Sequence, residues 1–251
     1  MNRPGLYKER DKFRELASMK ATVQDISVRA GFELSFSDVL LMYEMCRFEV
    51  AHRNVSGWCG VFSQENLKVK SNIFNIEIPK IHFRVVYQKS QQVMEYDQDL
   101  ENWYKHGYGD PSNRMVACPV MEKIVDTFEA VIAGQPSTKG TFYFSHSSAV
   151  MPLITSLGLF KDNFTLTADS FESQEADRRK YFSSTVTPFA GNVGFVLQRC
   201  QNDVGYRVAM FHNEVLKPLP LCPGHCSWSR FKDAYSDLIE CPSNGICNSS
   251  P

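Results

Sequence analysis

The sequence predicts an α/β protein, mainly helical in its first half, with strands between helices in its second. Three observations carry this. Apolar residues recur at helical spacing before residue 133, at Val39, Met42, Cys46 and Val50, then at Val120, Ile124, Phe128, Val131 and Ile132. The texture then changes to short runs rich in aromatic and β-branched residues: Thr141-Phe-Tyr-Phe-Ser, Val193-Gly-Phe-Val-Leu-Gln-Arg-Cys and Tyr206-Arg-Val-Ala-Met-Phe. Helical patterns separate these runs, the alternation that builds helix-covered sheets.

In chain order, residues 8–20 are charged and helix-prone. Ser37 is placed to cap a helix running to about Arg53. Ser56-Gly-Trp-Cys-Gly breaks the pattern as a turn. Further helices are expected over Tyr96 to Lys105 and from about Pro119 to Ala133. Thr141–Ser145 reads as a buried strand, followed by a helix that turns Val150, Leu153, Ile154 and Leu157 inward. A last helix near Ser227–Leu238 buries Trp228, Phe231, Tyr235 and Leu238. The stretch from Val69 to Gln92 fits poorly: it is rich in Ile, Val and Phe, contains Pro79 and lies between helical segments. It is either a lineage-specific hairpin or a retained intron. No internal repeat is visible.

With 251 residues, the chain has room for one large domain or two modest ones. A net charge of -1 gives no reason to expect nucleic acid or an acidic membrane as the main partner. No apolar run approaches the length of a membrane span. The first residues, Met1-Asn-Arg-Pro-Gly-Leu-Tyr-Lys, are not followed by the apolar core of a signal peptide, so the sequence reads as beginning partway into a domain.

Of eight cysteines, Cys222, Cys226, Cys241 and Cys247 crowd a tail rich in Pro, Gly, Ser and Asn. That suits a disulfide-pinned segment in an oxidising compartment. The rival is zinc held by Cys222 and Cys226 with His225 nearby, although zinc knuckles use tighter paired spacings. No metal or other cofactor is assigned. Asn54-Val-Ser, Asn163-Phe-Thr and Asn248-Ser-Ser are glycosylation acceptor triplets, which add weight to a secretory location.

The informative block is Phe142-Tyr-Phe-Ser-His146-Ser-Ser148-Ala-Val-Met-Pro-Leu-Ile-Thr-Ser-Leu-Gly-Leu-Phe-Lys-Asp162. A histidine ending a strand and opening a helix sits where α/β proteins place ligands, and a helix N-terminus favours an anion. From spacing alone the alternative is a hydrogen-bonded core histidine.

This block resembles the second signature of histidine acid phosphatases of the inositol polyphosphate branch, in which a strand ends in His-Ala-Glu, followed by a Leu-rich helix and a Gly-hydrophobic-Phe-Lys-Asp turn. Other stretches resemble the family in the same order: Ser56-Gly-Trp-Cys-Gly-Val-Phe, Asp99-Leu-Glu-Asn-Trp-Tyr-Lys-His-Gly-Tyr-Gly, Pro188-Phe-Ala-Gly-Asn-Val-Gly-Phe-Val-Leu and Tyr206-Arg-Val-Ala-Met-Phe-His-Asn-Glu. The resemblance covers most of residues 20–240 apart from 69–92. It implies a partial histidine-phosphatase fold, a mainly parallel sheet with flanking helices. Residues 113–240 would be the returning part of the core. Residues 1–112 would be the remainder of an inserted helical domain, and 241–251 a Cys-containing tail.

The family's chemistry uses a nucleophilic histidine in an Arg-His-Gly-x-Arg-x-Pro motif, a second histidine and arginines around the transferring phosphoryl group, and an acid for the leaving alcohol. Carried onto this chain, His146 matches the second, phosphate-contacting histidine, and Ser148 occupies the acid's slot. A hydroxyl is too weak an acid for that work, and losing general-acid help lowers the rate by about 10²–10⁴-fold. The nucleophile motif is absent. Its nearest imitation, Lys105-His106-Gly107-Tyr108-Gly109, lacks the second arginine, follows a helix and corresponds to a different family segment. Lys105 and His106 either place positive charge near a polyphosphate or are an exposed helix end, where cations are favoured anyway. His52, His82, His212 and His225 show no partner pattern.

The resemblance therefore implies a phosphomonoesterase acting on inositol hexakisphosphate and lower inositol phosphates, and on 2,3-bisphosphoglycerate in some members. Its location would be the endoplasmic reticulum lumen, the cell surface or the outside. This chain alone is expected to be inactive or strongly impaired, and poorly soluble where strands lack partners. A non-catalytic phosphate-binding relative and a structural interaction protein are the alternatives. The Glu-to-Ser change at 148 favours the first of these.

Overall fold

The computed structural model describes residues 4–53, 56–62, 83–173, 175–199 and 205–241. The chain divides into two compact units, Met1–Glu101 with Leu166–Arg178, and Asn102–Thr165 with Arg179–Pro251.

The first unit is helical. The charged stretch near the start forms two helices, α1 (Pro4–Arg14) and α2 (Ala17–Ala30), broken at Glu15 and Leu16. Gly31, at φ 83°, ends α2 in the left-handed conformation that glycine adopts without strain. Helix α3 (Phe36–Arg53) buries Val39, Tyr43 and Cys46, spaced i, i+4, i+7, while Val50 is exposed. Its cap is Ser35 and not the expected Ser37. The Ser35 hydroxyl and N–H donate to the Asp38 carboxylate at 2.6 and 2.9 Å, and the Asp38 N–H donates back to the Ser35 oxygen at 3.2 Å. This reciprocal pairing fixes the start one residue after Ser35. A disulfide from Cys46 to Cys59 ties α3 to the 3₁₀ turn Gly57–Val61.

Helix α4 (Phe83–His106) is far longer than the expected Tyr96–Lys105. The end of the atypical stretch, residues 83–92, belongs to it, while 69–82 lies outside the described residues. Within the first unit, Tyr96 packs against Phe13 of α1 (ring centroids 5.0 Å apart), and both contact Phe171 at 5.1 Å. Beside them Asp97 is fully buried. Arg10 donates to its carboxylate at 2.8 and 3.0 Å, and Arg14 at 2.7 and 2.9 Å, satisfying a charge that could not be buried alone. Burial opposes charge on Arg14, but its hydrogen bond and proximity to Asp97 win, and the guanidinium titrates above its ordinary value.

The second unit contains the sheet. Strands β1 (Val193–Arg199), β2 (Tyr206–His212) and β3 (Val215–Lys217) form an antiparallel sheet in the order β1-β2-β3. The expected mainly parallel sheet is therefore corrected: the sheet among the described residues is small and antiparallel. β2 alternates Val208, Met210 and His212 inward. It turns into β3 through Asn213 and Glu214, both at positive φ (49° and 65°), as a two-residue hairpin requires.

Thr141–Ser145 is not a strand, and it is not buried. Every residue from Ala133 to Ser148 is exposed, with Phe142 at 83% and Phe144 at 96% of full exposure. β-Propensity describes a fit to neighbouring strands, and no described strand pairs with this segment.

Helix α5 (Cys118–Ile132) buries Cys118, Met121 and Val125, whereas Val120 is 37% exposed. The buried stripe is thus displaced from the expected one, to the face that carries the Cys118–Cys241 disulfide. Helix α6 (Ser147–Ser156) buries Leu153 and Ile154, and Leu157 follows at its end. The closing segment is two short helices, α7 (Trp228–Ala234), capped by the Ser227 hydroxyl, and α8 (Ser236–Ile239). Phe231, Tyr235 and Leu238 are buried as expected, whereas Trp228, also expected to be buried, is only half-buried at the helix start, and the Tyr235 hydroxyl donates to the Leu157 carbonyl at 3.2 Å. Burial pushes that phenol up to about 12.

Cys222 and Cys226 form a disulfide with each other, so neither sulfur is left as a thiolate for a metal. Among the described residues no helix is long and apolar enough to cross a membrane, and no group of three His, Cys, Asp or Glu side chains is placed to hold a metal ion.

Candidate functional site

His146 is the N-cap of α6. Its backbone is extended (φ -90°, ψ 162°), and its carbonyl accepts from the Ala149 and Val150 N–H groups at 2.9 and 3.4 Å. Its imidazole makes no capping hydrogen bond and is exposed, so the core-histidine alternative does not hold. The ring, the Ser148 side chain and the first turn of α6 share one open end of the helix, where unpaired N–H groups favour an anion. Pro152 inside α6 has no N–H for the Ser148 carbonyl, so that end is also less tightly bonded than an ordinary helix start.

The other end of α6 is locked. Gly158 (φ 86°) donates its N–H to the Thr155 carbonyl at 2.9 Å and Leu159 donates to Ile154 at 3.3 Å, a paired closure that ends the helix. The chain then turns through Phe160 (φ 57°) to Asp162, which is buried and accepts the N–H groups of Lys180 and Tyr181 at 2.6 and 3.2 Å. The sequence showed the Lys161-Asp162 turn but not this clamp, because the acceptor's partners lie eighteen residues on.

The Trp-Tyr-Lys-His-Gly-Tyr-Gly segment packs beside that locked end. Trp103 and Tyr181 meet edge to face at 5.1 Å, and the Tyr108 hydroxyl donates to the Leu159 carbonyl at 2.6 Å. Burial, aided by the nearby Asp162 charge, lifts the Tyr108 phenol above its usual range. The two glycines are packing residues. A β-carbon on Gly107 would lie 2.8 Å from the Tyr181 hydroxyl, and one on Gly109 would lie 2.6 Å from Trp103 and Tyr104 ring carbons. Asn113, buried, donates to the carbonyls of Tyr104 and Gly107 and so closes the end of α4.

Lys105 and His106 are half-buried in the last turn of α4. The His106 carbonyl lies 3.5 Å from the Thr155 hydroxyl. Thr155 stands about 13 Å along α6 from His146, from the helical rise per residue, so the backbone at His106 is not brought to the open end. Of the acceptor triplets, Asn163 is exposed, and Asn54 and Asn248 lie outside the described residues.

A cleft of about 280 Å³ lies between α5 and the segment leading to His146, lined by Lys123, Asp126, Thr127, Thr138, Thr141 and Tyr143 among others. His146 does not line it, and its one cation and one carboxylate give it no preference for phosphate.

The described geometry is thus an exposed histidine opening α6, with the Gly-Leu-Phe-Lys-Asp turn at the helix's other end. The family model described as the histidine phosphatase superfamily (branch 2) matches residues 8–213, and the chain belongs to that family.

It is similar to multiple inositol polyphosphate phosphatase 1 of Drosophila melanogaster, 31% identical over 236 residues, covering 91% of this chain and 44% of that protein. The Homo sapiens protein of the same name is 27% identical over 227 residues, covering 86% of this chain and 41% of its own length. Phytase A of Aspergillus fumigatus is 25% identical over 243 residues, covering 84% and 47%. The chain thus spans less than half the length of these relatives.

Proposed function

We propose that this chain supplies the phosphate-contacting half of a phosphomonoesterase for inositol polyphosphates, and that it does not turn over substrate alone. The observation that carries the reading is His146: exposed, not used in capping, and set at the open end of α6. In this reading the imidazole and the first N–H groups of α6 hold phosphoryl oxygens as charge builds on them. A histidine outside this chain attacks phosphorus, and the ester P–O bond breaks. The alcohol then leaves with a proton that Ser148 supplies poorly, and water releases the phosphohistidine. Lys105 and His106 serve as secondary positive charge for a polyphosphate bound beyond the reacting group. In this reading the exposed Phe142–Phe144 segment, which is not a strand among the described residues, pairs as one in the assembled enzyme beside His146. The disulfides fit an oxidising compartment, the endoplasmic reticulum lumen or beyond.

Binding of inositol hexakisphosphate by calorimetry, with phosphate release measured alongside, tests this. Expected are binding without release, and at least about tenfold weaker binding on His146→Ala. Unchanged binding in that variant would overturn the reading. A second reading, a wholly non-catalytic relative, draws on Ser148. Release that stays absent when a nucleophile-bearing segment of a histidine phosphatase is supplied in trans, and returns with Ser148→Glu, would favour it.

A further inference from the structure

We propose that Asn163 is an N-glycosylation site, and that its glycan stands at the end of α6 opposite His146. The triplet Asn163-Phe-Thr165 is one of three in the sequence, and the one whose acceptor is described. Three structural features make it a competent acceptor. Asn163 is exposed in a bend, and its side-chain amide makes no hydrogen bond to the described residues. Its neighbour Asp162 is pulled inward by the Lys180 and Tyr181 N–H groups, so the turn is pinned with Asn163 on its outer side. Thr165, whose hydroxyl position the acceptor triplet requires, is also exposed.

The transfer needs an oligosaccharide carried on a lipid pyrophosphate, the donor of the secretory lumen. The Asn163 amide nitrogen forms a bond to the first sugar's anomeric carbon and gives up a proton. The bond from that carbon to the pyrophosphate oxygen breaks, and the lipid pyrophosphate leaves. Asn163 lies beyond the locked end of α6, a ten-residue helix about 15 Å long. A glycan there leaves the His146 end open, and it keeps Asn163 and Thr165 in solvent.

The proposal rests on the secretory location proposed above, and the experiment separates the two. The chain is directed into the lumen of a secretory cell with an added leader. Glycans are then released enzymatically in heavy-oxygen water and the peptides mapped by mass spectrometry. The expected result is label at Asn163, lost in Asn163→Gln and Thr165→Ala but kept in Thr165→Ser. An unlabelled Asn163 in lumenal chain whose Cys46–Cys59 bond has formed overturns the glycosylation proposal alone. Native protein isolated with free thiols and no glycan overturns the location, and this proposal with it.

Discussion

Gly107 passes so close to Tyr181 that a β-carbon on it would lie 2.8 Å from the phenol oxygen and 3.0 Å from the Trp103 carbonyl. The glycines after Lys105 and His106 therefore exist for packing. Gly107→Ala should destabilise the second unit by about 1–3 kcal/mol, the usual result of overpacking a tight site. Urea denaturation followed through tryptophan fluorescence measures it, and a change below about half a kcal/mol would show that Tyr181 has room to move.

The Arg10–Asp97–Arg14 cluster makes a second prediction. Asp97→Ala removes a fully buried acceptor, takes the carboxylate from Arg14 and leaves Arg10 with Glu101 alone, which should lower stability by about 3–5 kcal/mol. Asp97→Ala combined with Arg10→Met and Arg14→Leu should recover much of that loss, because apolar replacements remove the stranded charge. A triple variant less stable than the single one contradicts this.

Acid should act on α3 through its cap. The Ser35 hydroxyl and N–H hold the Asp38 carboxyl below its ordinary range. A depressed folded value means stability present above the ordinary range and lost as pH falls through the folded one. Ser35→Ala should lower stability by about 1 kcal/mol at neutral pH, with the difference from the parent shrinking on acidification below about pH 4. A difference that is flat from neutral to acid pH contradicts the pairing.

Glu214 sits at φ 65° in the β2–β3 turn, in a slot that favours glycine. Glu214→Gly should raise the thermal midpoint, by roughly 0.5–1 kcal/mol in stability terms, as the left-handed strain disappears. A lowered midpoint would show that the Glu214 side chain contributes more than its backbone conformation costs.

How much of this was legible in the sequence differs by element, for physical reasons. Helices are local, so Cys118–Ile132 and Ser147–Ser156 followed from spacing, and β1 and β2 followed because they neighbour each other in sequence. The buried face of α5 did not, because residues distant in sequence cover it, with Cys241 bonded to Cys118 among them. Thr141–Ser145 carries strand chemistry without a strand beside it, and pairing is not a property of the segment itself. Ser35 and not Ser37 caps α3 because the capping signal lies in the acceptor at Asp38. At the site, the exposure of His146 needed the structure to choose it over a core histidine, and the Asp162 clamp needed the fold to bring Lys180 near.

The role given to His146 is tested by nuclear magnetic resonance of its imidazole, assigned by comparison with His146→Gln, during titration with inositol hexakisphosphate. A saturable shift of that ring is expected as phosphate engages it. A His146 signal that stays put while the ligand binds elsewhere on the chain would contradict it.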